Sequence, residues 1–153
     1  MDKEKLTQLV KNLVMSSGAI AVGIANTETL EGGPPSTDLT YVLPEAKSAV
    51  VFALPMDQGA IERFLKKEDM ASANIDNRRV NNMASGLAFE LSEFLNMKGL
   101  KSVPLVANAT YRKDTPNGPY DEKPPVSHRY LAVRSGIGHF GLSGNVIMDK
   151  YGA

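Results

Sequence analysis

The chain contains no cysteine and no tryptophan among its 153 residues, and it has only two histidines. Without thiols it forms no disulfide and has no cysteine nucleophile. It also cannot by itself hold an iron–sulfur cluster or a thiolate zinc site. Two histidines are too few for a histidine-rich metal centre, so we assign no residue to a metal.

An excess of charge of either sign is also missing. Lysine plus arginine and aspartate plus glutamate each number 17, giving a formal net charge of +0. Nothing in this balance favours binding to nucleic acid or to an anionic membrane. No apolar run approaches the ~20 residues that span a bilayer, and residues 1–14 are charged and amphipathic rather than signal-like. We therefore expect a cytoplasmic protein with no membrane partner.

Hydrophobic residues make up 42% of the chain, enough to bury a core. Apolar side chains at helical spacing predict helices over residues 3–16, 60–67, 75–98 and 126–135. The third of these is the longest, and Gly99 is its expected end. Its apolar stripe comprises Ile75, Val80, Met83, Leu87, Leu91, Phe94 and Leu95.

Short apolar runs predict strands over residues 19–25, 48–54, 103–107 and 145–148. These runs alternate little, so they need cover on both faces. Strands that alternate with helices indicate a single α/β domain over residues 1–153, an α/β sandwich with a mixed central sheet covered by helices. The sequence stops soon after its last predicted strand, so we expect a truncated chain, the N-terminal part of a longer protein.

A glycine-rich stretch over residues 136–141 matches the letters G-x-G-x-x-G. The dinucleotide motif with these letters needs a strand before it and a helix after it, which aims the helix N-terminus at a pyrophosphate. Here a predicted helix precedes and a predicted strand follows, so we reject that motif. Two interpretations remain open, a tight turn packed on the core and a backbone surface that a ligand approaches closely.

The residues from His128 to Gly141, followed by 145–148 and Tyr151-Gly152, resemble the signature of the epoxyqueuosine reductases. Residues 42–51 and 99–102 are similar to two upstream segments of that family. The chain departs from the signature where His128 replaces a glutamate and Leu142 replaces a lysine. The resemblance therefore indicates a divergent member, whose substrate need not be a tRNA.

Membership would imply a nitroreductase-like α/β domain that binds cobalamin, as in these enzymes and the related reductive dehalogenases. Electrons would come from two 4Fe–4S clusters on a ferredoxin-like domain that would follow Ala153. The function implied is cobalamin-dependent reduction of a tRNA or of a small organic substrate.

The resemblance also implies a set of site residues. Backbone and small polar groups would face the cofactor from Gly136, Gly138, His139, Gly141, Ser143 and Asn145. Arg129 or His128 would meet a negatively charged part of the cofactor or substrate. The family's proton-donating aspartate aligns with Glu122, beside Asp121, when Pro125 is matched to its proline. The alternative for these two acids is a solvated loop.

Two other functions stay open on the sequence. One is an FMN-binding enzyme of the nitroreductase-like class. The other is a non-catalytic scaffold or interaction domain that has lost its cofactor. A chain cut near its end would leave an uncovered apolar edge near residues 142–153, and such an edge would favour a homodimer.

Overall fold

A computed structural model describes residues 2–107 and 125–152. It is a mixed α/β structure, which confirms the predicted class. The elements are α1 (Lys3–Ser16), β1 (Ala21–Asn26), β2 (Ser48–Ala53), α2 (Gln58–Leu65), α3 (Met70–Met97), α4 (His128–Arg134), β3 (His139–Phe140) and β4 (Val146–Ile147). Two short 3-10 helices, Pro35–Thr37 and Leu39–Tyr41, lie between β1 and β2.

The chain forms two compact units. The first comprises Met1–Ile20 and Ala53–Asn108, and the second comprises Ala21–Phe52 and Ala109–Ala153. The buried apolar residues of the first unit are Val10, Val14, Ala19, Ala60, Leu87 and Leu91. Those of the second unit are Ala25, Leu30, Leu39, Val126, Leu131 and Ala132.

The first unit is built around α3, which packs against α2 and α1. Asp69 caps the start of α3, because its carboxylate accepts the backbone N–H groups of Ala71 and Ser72 at 2.9 and 3.1 Å. The helix ends at Lys98, and Gly99 follows with a φ of +78°. Such a left-handed residue after the last turn is a frequent helix stop.

A carboxylate clamp joins α3 to the start of α2. Asp76 is buried, and it accepts the backbone N–H of Asp57 at 2.7 Å. Arg79 donates to the same carboxylate from Nε at 2.8 Å and from Nη2 at 2.6 Å. The Asp57 N–H and the Arg79 guanidinium hold the pKa of Asp76 below its ordinary value. Asp57 in turn caps α2 by accepting the N–H of Ala60 at 2.9 Å.

In the second unit, β1 and β2 pair as antiparallel strands. The N–H of Thr27, just after β1, donates to the carbonyl of Lys47, just before β2, at 3.2 Å. Helix α4 packs on β1, and the hairpin of β3 and β4 packs on α4. The described part of the chain thus holds two separate two-stranded sheets.

The predicted helices are all present, with α3 beginning five residues earlier than expected. The predictions of strands near residues 19–25, 48–54 and 145–148 are also confirmed, with shorter bounds. The strand predicted at residues 103–107 is wrong, because these residues form irregular backbone that ends in a turn. Pro104 cannot donate to a ladder, and Val103 and Val106 remain 48% and 38% exposed.

The prediction of one central sheet also differs from the structure. The last predicted strand pairs locally, since β4 meets β3 across a short turn and has no bond to β1 or β2. Hairpin closure of a few residues costs less chain entropy than joining a distant strand. The nitroreductase-like form of the sandwich stays a prediction.

Truncation of Leu91 tests the core of the first unit. Leu91 is 5% exposed, so Leu91→Ala is expected to lower the free energy of unfolding by about 2–5 kcal/mol through lost burial and a cavity. Leu65→Ala is the matched control, because Leu65 is 72% exposed on α2. Urea denaturation would give both values, and equal losses would contradict the packing described.

The Asp76 clamp predicts a pH dependence. Its folded-state pKa is lowered, so the clamp stabilises the protein above the unfolded-state pKa, near 3.8, and this stability is lost as the pH falls further. Asp76→Asn should reduce the melting temperature by several degrees at pH 7 and should flatten the fall in stability below pH 4. Glu4→Gln on exposed α1 is the control. If the melting temperatures of wild type and Asp76→Asn changed with pH in parallel, that result would contradict the clamp.

Candidate functional site

The segment that carries the family resemblance begins with α4. Ser127 caps this helix, since its Oγ accepts the N–H of Tyr130 at 3.4 Å. The N–H of Ser127 donates to the carbonyl of Ser36 at 2.8 Å, which ties the helix start to the loop between β1 and β2. Leu131 and Ala132 form the buried face of α4.

The far end of α4 approaches β1 closely. A Cβ built on Gly23 of β1 would lie 2.6 Å from the carbonyl oxygen of Ser135, which is too close for any real side chain. Only glycine at this position lets the helix C-terminus sit on the strand. Gly136 then ends the helix with a φ of +81°.

After Gly136 the chain forms a hairpin rather than an open loop. His139 pairs with Ile147, and Phe140 pairs with Val146. The N–H of Gly144 donates to the carbonyl of Gly141 at 2.9 Å, and the N–H of Gly141 donates to the carbonyl of Asn145 at 2.8 Å. With Gly144 at a φ of +76°, this is the three-residue hairpin loop that needs a left-handed residue at its last position.

Two contacts fix the hairpin against α4. The rings of Tyr130 and Phe140 meet edge to face, with centroids 4.8 Å apart. Arg129 donates from Nη1 to the carbonyl of Gly144 at 3.2 Å. The helix therefore positions the hairpin loop through one aromatic pair and one charged hydrogen bond.

Two of the predicted cofactor glycines face the hairpin itself. A Cβ on Gly138 would lie 2.6 Å from the carbonyl oxygen of Ile147, and one on Gly141 would lie 2.5 Å from Cδ1 of that residue. The space beside these glycines is filled by β4. For these two glycines the structure agrees with the first of the two interpretations, a tightly packed turn.

The other predicted groups lie on the surface of this hairpin. Nothing lies within 4 Å of a Cβ built on Gly136. His139, Ser143 and Asn145 are exposed. His139 Nδ1 lies 3.4 Å from an Asp149 carboxylate oxygen, with both side chains largely in solvent. The arrangement offers hydrogen-bonding groups on an open face.

The two cationic candidates differ in their availability. Arg129 is committed in part to the hairpin loop. His128 is exposed as a residue, but the atoms packed about its ring desolvate the imidazole, and this burial lowers the pKa of His128 below 6.5. This burial favours the neutral ring, which can both accept and donate a hydrogen bond.

The structure thus brings Arg129 and the residues from Gly136 to Asn145 together on α4 and the hairpin. The predicted proton donors Glu122 and Asp121 lie outside the described residues, and their assignment stays a prediction. Within residues 2–107 and 125–152, no group of three or more histidine, aspartate or glutamate side chains is placed to hold a metal ion. None of the described helices has both the length and the apolar character needed to cross a membrane.

A cleft of about 270 Å³ lies in the second unit. Residues between 27 and 46 line it, including Thr27, Asp38 and Thr40. Asp38 accepts the hydroxyl and the backbone N–H of Thr40 at 2.6 and 2.9 Å, and these bonds lower the pKa of Asp38. Both bonds are made to Oδ1 within the residue's own turn, and none of the predicted site residues lines the cleft.

Several residues that position the site were not predicted from the sequence. Gly23 stands in an apolar run, where a lone glycine signals a close backbone approach. Gly144 follows Leu142 and Ser143, and a glycine at the third position is typical of a three-residue hairpin loop. The Tyr130–Phe140 pair had no signal in the sequence, because it depends on how the hairpin folds back.

Comparison of the chain with models of protein families, with curated proteins and with solved structures found no match.

Substitution of Gly138 tests the packing role of the glycine-rich stretch. Gly138→Val should lower the free energy of unfolding by about 1–3 kcal/mol or more, because the side chain would collide with the β4 backbone. Gly136→Asn is the control, since space is open there and asparagine tolerates a positive φ. Thermal denaturation would compare them. A Gly138→Val protein as stable as wild type would contradict the hairpin packing.

Proposed function

We propose that the chain is the cofactor-binding domain of an oxidoreductase of the epoxyqueuosine-reductase-like class, with the nitroreductase-like fold that the class implies. One observation carries the proposal. The segment that resembles the family signature folds as a continuous structure, α4 followed by the hairpin, and it presents Gly136, His139, Ser143 and Asn145 to solvent on the same short stretch.

The exposed groups fit a neutral, amide-bearing ligand better than an anionic one. Ser143 and Asn145 offer a hydroxyl and an amide, which both donate and accept hydrogen bonds. The open space beside Gly136 lets a planar ligand approach the backbone. The neutral His128 ring and the partly committed Arg129 leave little positive charge for a phosphate. A corrinoid, whose rim carries amides, matches this donor set more closely than FMN.

In this proposal the chain's own residues bind and orient. Gly138 and Gly141 keep the hairpin closed, and Ser143 and Asn145 hydrogen-bond to the cofactor rim. Arg129 holds the hairpin loop against α4 through the Gly144 carbonyl. A bound cobalamin would supply the redox chemistry, with electrons from 4Fe–4S clusters outside this cysteine-free chain. The proton donor is Glu122 or Asp121, by resemblance, and the substrate is a tRNA or a small organic molecule.

Absorbance titration tests the proposal. Hydroxocobalamin added to the purified chain should show saturable spectral changes, whereas FMN should not. Asn145→Ala should weaken cobalamin binding by about three- to tenfold, the effect of one side-chain hydrogen bond. Asn12→Ala on exposed α1 is the matched control and should bind as wild type does. Saturable binding of FMN alone would contradict the proposal and favour the flavin enzyme.

A scaffold domain without a cofactor is the second candidate, and a specific observation favours it. The spaces beside Gly138 and Gly141 are already filled by Ile147 and Val146, as a purely structural hairpin requires. This candidate predicts that the chain binds neither hydroxocobalamin nor FMN, while Gly138→Val still loses stability. The titration therefore separates the two candidates, because both of them expect Gly138→Val to lose stability.

A further inference from the structure

One face of α3 is exposed along its whole length, although it carries several large apolar side chains. Ile75, Met83, Phe89 and Met97 are 62%, 46%, 56% and 72% exposed. At about 100° per residue, these four positions fall within about 60° of the direction of Gly86, whereas the buried Leu87 and Leu91 lie about 100° and 140° from it. We call this side the outer face of α3.

The outer face is nearly symmetric about Gly86. Met83 and Phe89 lie three residues to either side of it, and Ile75 and Met97 lie eleven residues to either side. Each apolar side chain thus has an apolar counterpart at the same distance on the other side.

Two charged residues of the outer face are opposite in sign at matching distances, since Arg79 and Glu93 lie seven residues to either side of Gly86. The neutral Asn82 and the acidic Glu90 lie four residues to either side of it. All four are exposed. Glu90 and Glu93 have no ion-pair partner in the part of the chain that the structure describes. Arg79 keeps two of its five N–H groups after bonding Asp76 and Met83.

Gly86 itself sits at the centre of this pattern with nothing within 4 Å of a built Cβ. Glycine in the middle of a helix costs about 1 kcal/mol relative to alanine, and no contact within the described residues requires it here. A small residue on an exposed helix face does, however, let a second helix approach closely.

We propose that the outer face of α3 binds the same face of a second copy of this chain, with the two helices antiparallel and crossing at Gly86. A two-fold axis at Gly86 places Arg79 of each copy opposite Glu93 of the other, and Asn82 opposite Glu90. The same axis places Ile75 at the level of Met97 of the other copy, and Met83 at the level of Phe89. Contact out to positions 75 and 97, about 16 Å from the axis, requires the small crossing angle of bundle-type packing.

The absence of cysteine makes this geometry directly testable by disulfide cross-linking. At an interaxial distance of about 8–10 Å, two Gly86 Cα atoms on the axis come within the range that a disulfide spans. Gly86→Cys should therefore form a covalent dimer rapidly under mild oxidation. Asn82→Cys is the matched control on the same face, because its two copies would lie about 12 Å apart along the helices. It should cross-link only when mixed with a Glu90→Cys chain.

Sedimentation of the cysteine-free chain gives a second measurement. Wild type should dimerise, and Glu93→Arg should raise the dimer dissociation constant by about tenfold, because it places a like charge opposite Arg79 twice across the axis. Glu93→Gln removes the charge without reversing it and should weaken the dimer less, whereas Glu4→Arg on α1 should change nothing. A wild-type chain that stays monomeric at about 0.2 mM would overturn the proposal. So would a dimer in which Asn82→Cys alone links as fast as Gly86→Cys, or one that Glu93→Arg leaves unchanged.

Discussion

Backbone contacts too close for a side chain hold the second unit in its arrangement. Gly23 lets the end of α4 lie on β1, and Gly138 lets the chain before β3 approach the backbone of β4, whereas the atom closest to a Cβ on Gly141 is Cδ1 of the Ile147 side chain. A methyl group at any of these positions would meet another atom at 2.5–2.6 Å. The Tyr130–Phe140 contact and the Arg129–Gly144 bond both follow from that closeness, because they bridge elements that the glycines bring together.

This constraint determines which groups the candidate site can present to a ligand. The interior of the glycine-rich stretch is used by the protein itself, so a ligand can meet only its outer surface. That surface offers Ser143, Asn145 and His139 in solvent, and the charge of Arg129 is turned partly inward. A site of this kind recognises a ligand by hydrogen bonds over an open face rather than by enclosure or by strong charge.

The sequence predicted the helices well, because their signals are local. Apolar spacing and terminal glycines marked α1, α3 and α4. The early start of α3 was missed because residues 70–74 add little to the apolar stripe, although Asp69 is a standard cap. Strand pairing was harder to predict, since a run such as 103–107 looks like a strand without showing whether any partner exists. The glycine spacing likewise could not show whether a ligand or β4 fills the space beside Gly138.

The position of the buried side chains along α3 has a consequence for its dynamics. The helix is about 42 Å long, and its two buried apolar residues, Leu87 and Leu91, both lie in the second half. The first half depends instead on the Asp76 clamp and on its packing with α2. The amide protons in the first half of α3 should therefore exchange with solvent faster than those in the second half. The early turns exchange by local opening, and the turns around Leu91 exchange only when the first unit unfolds as a whole.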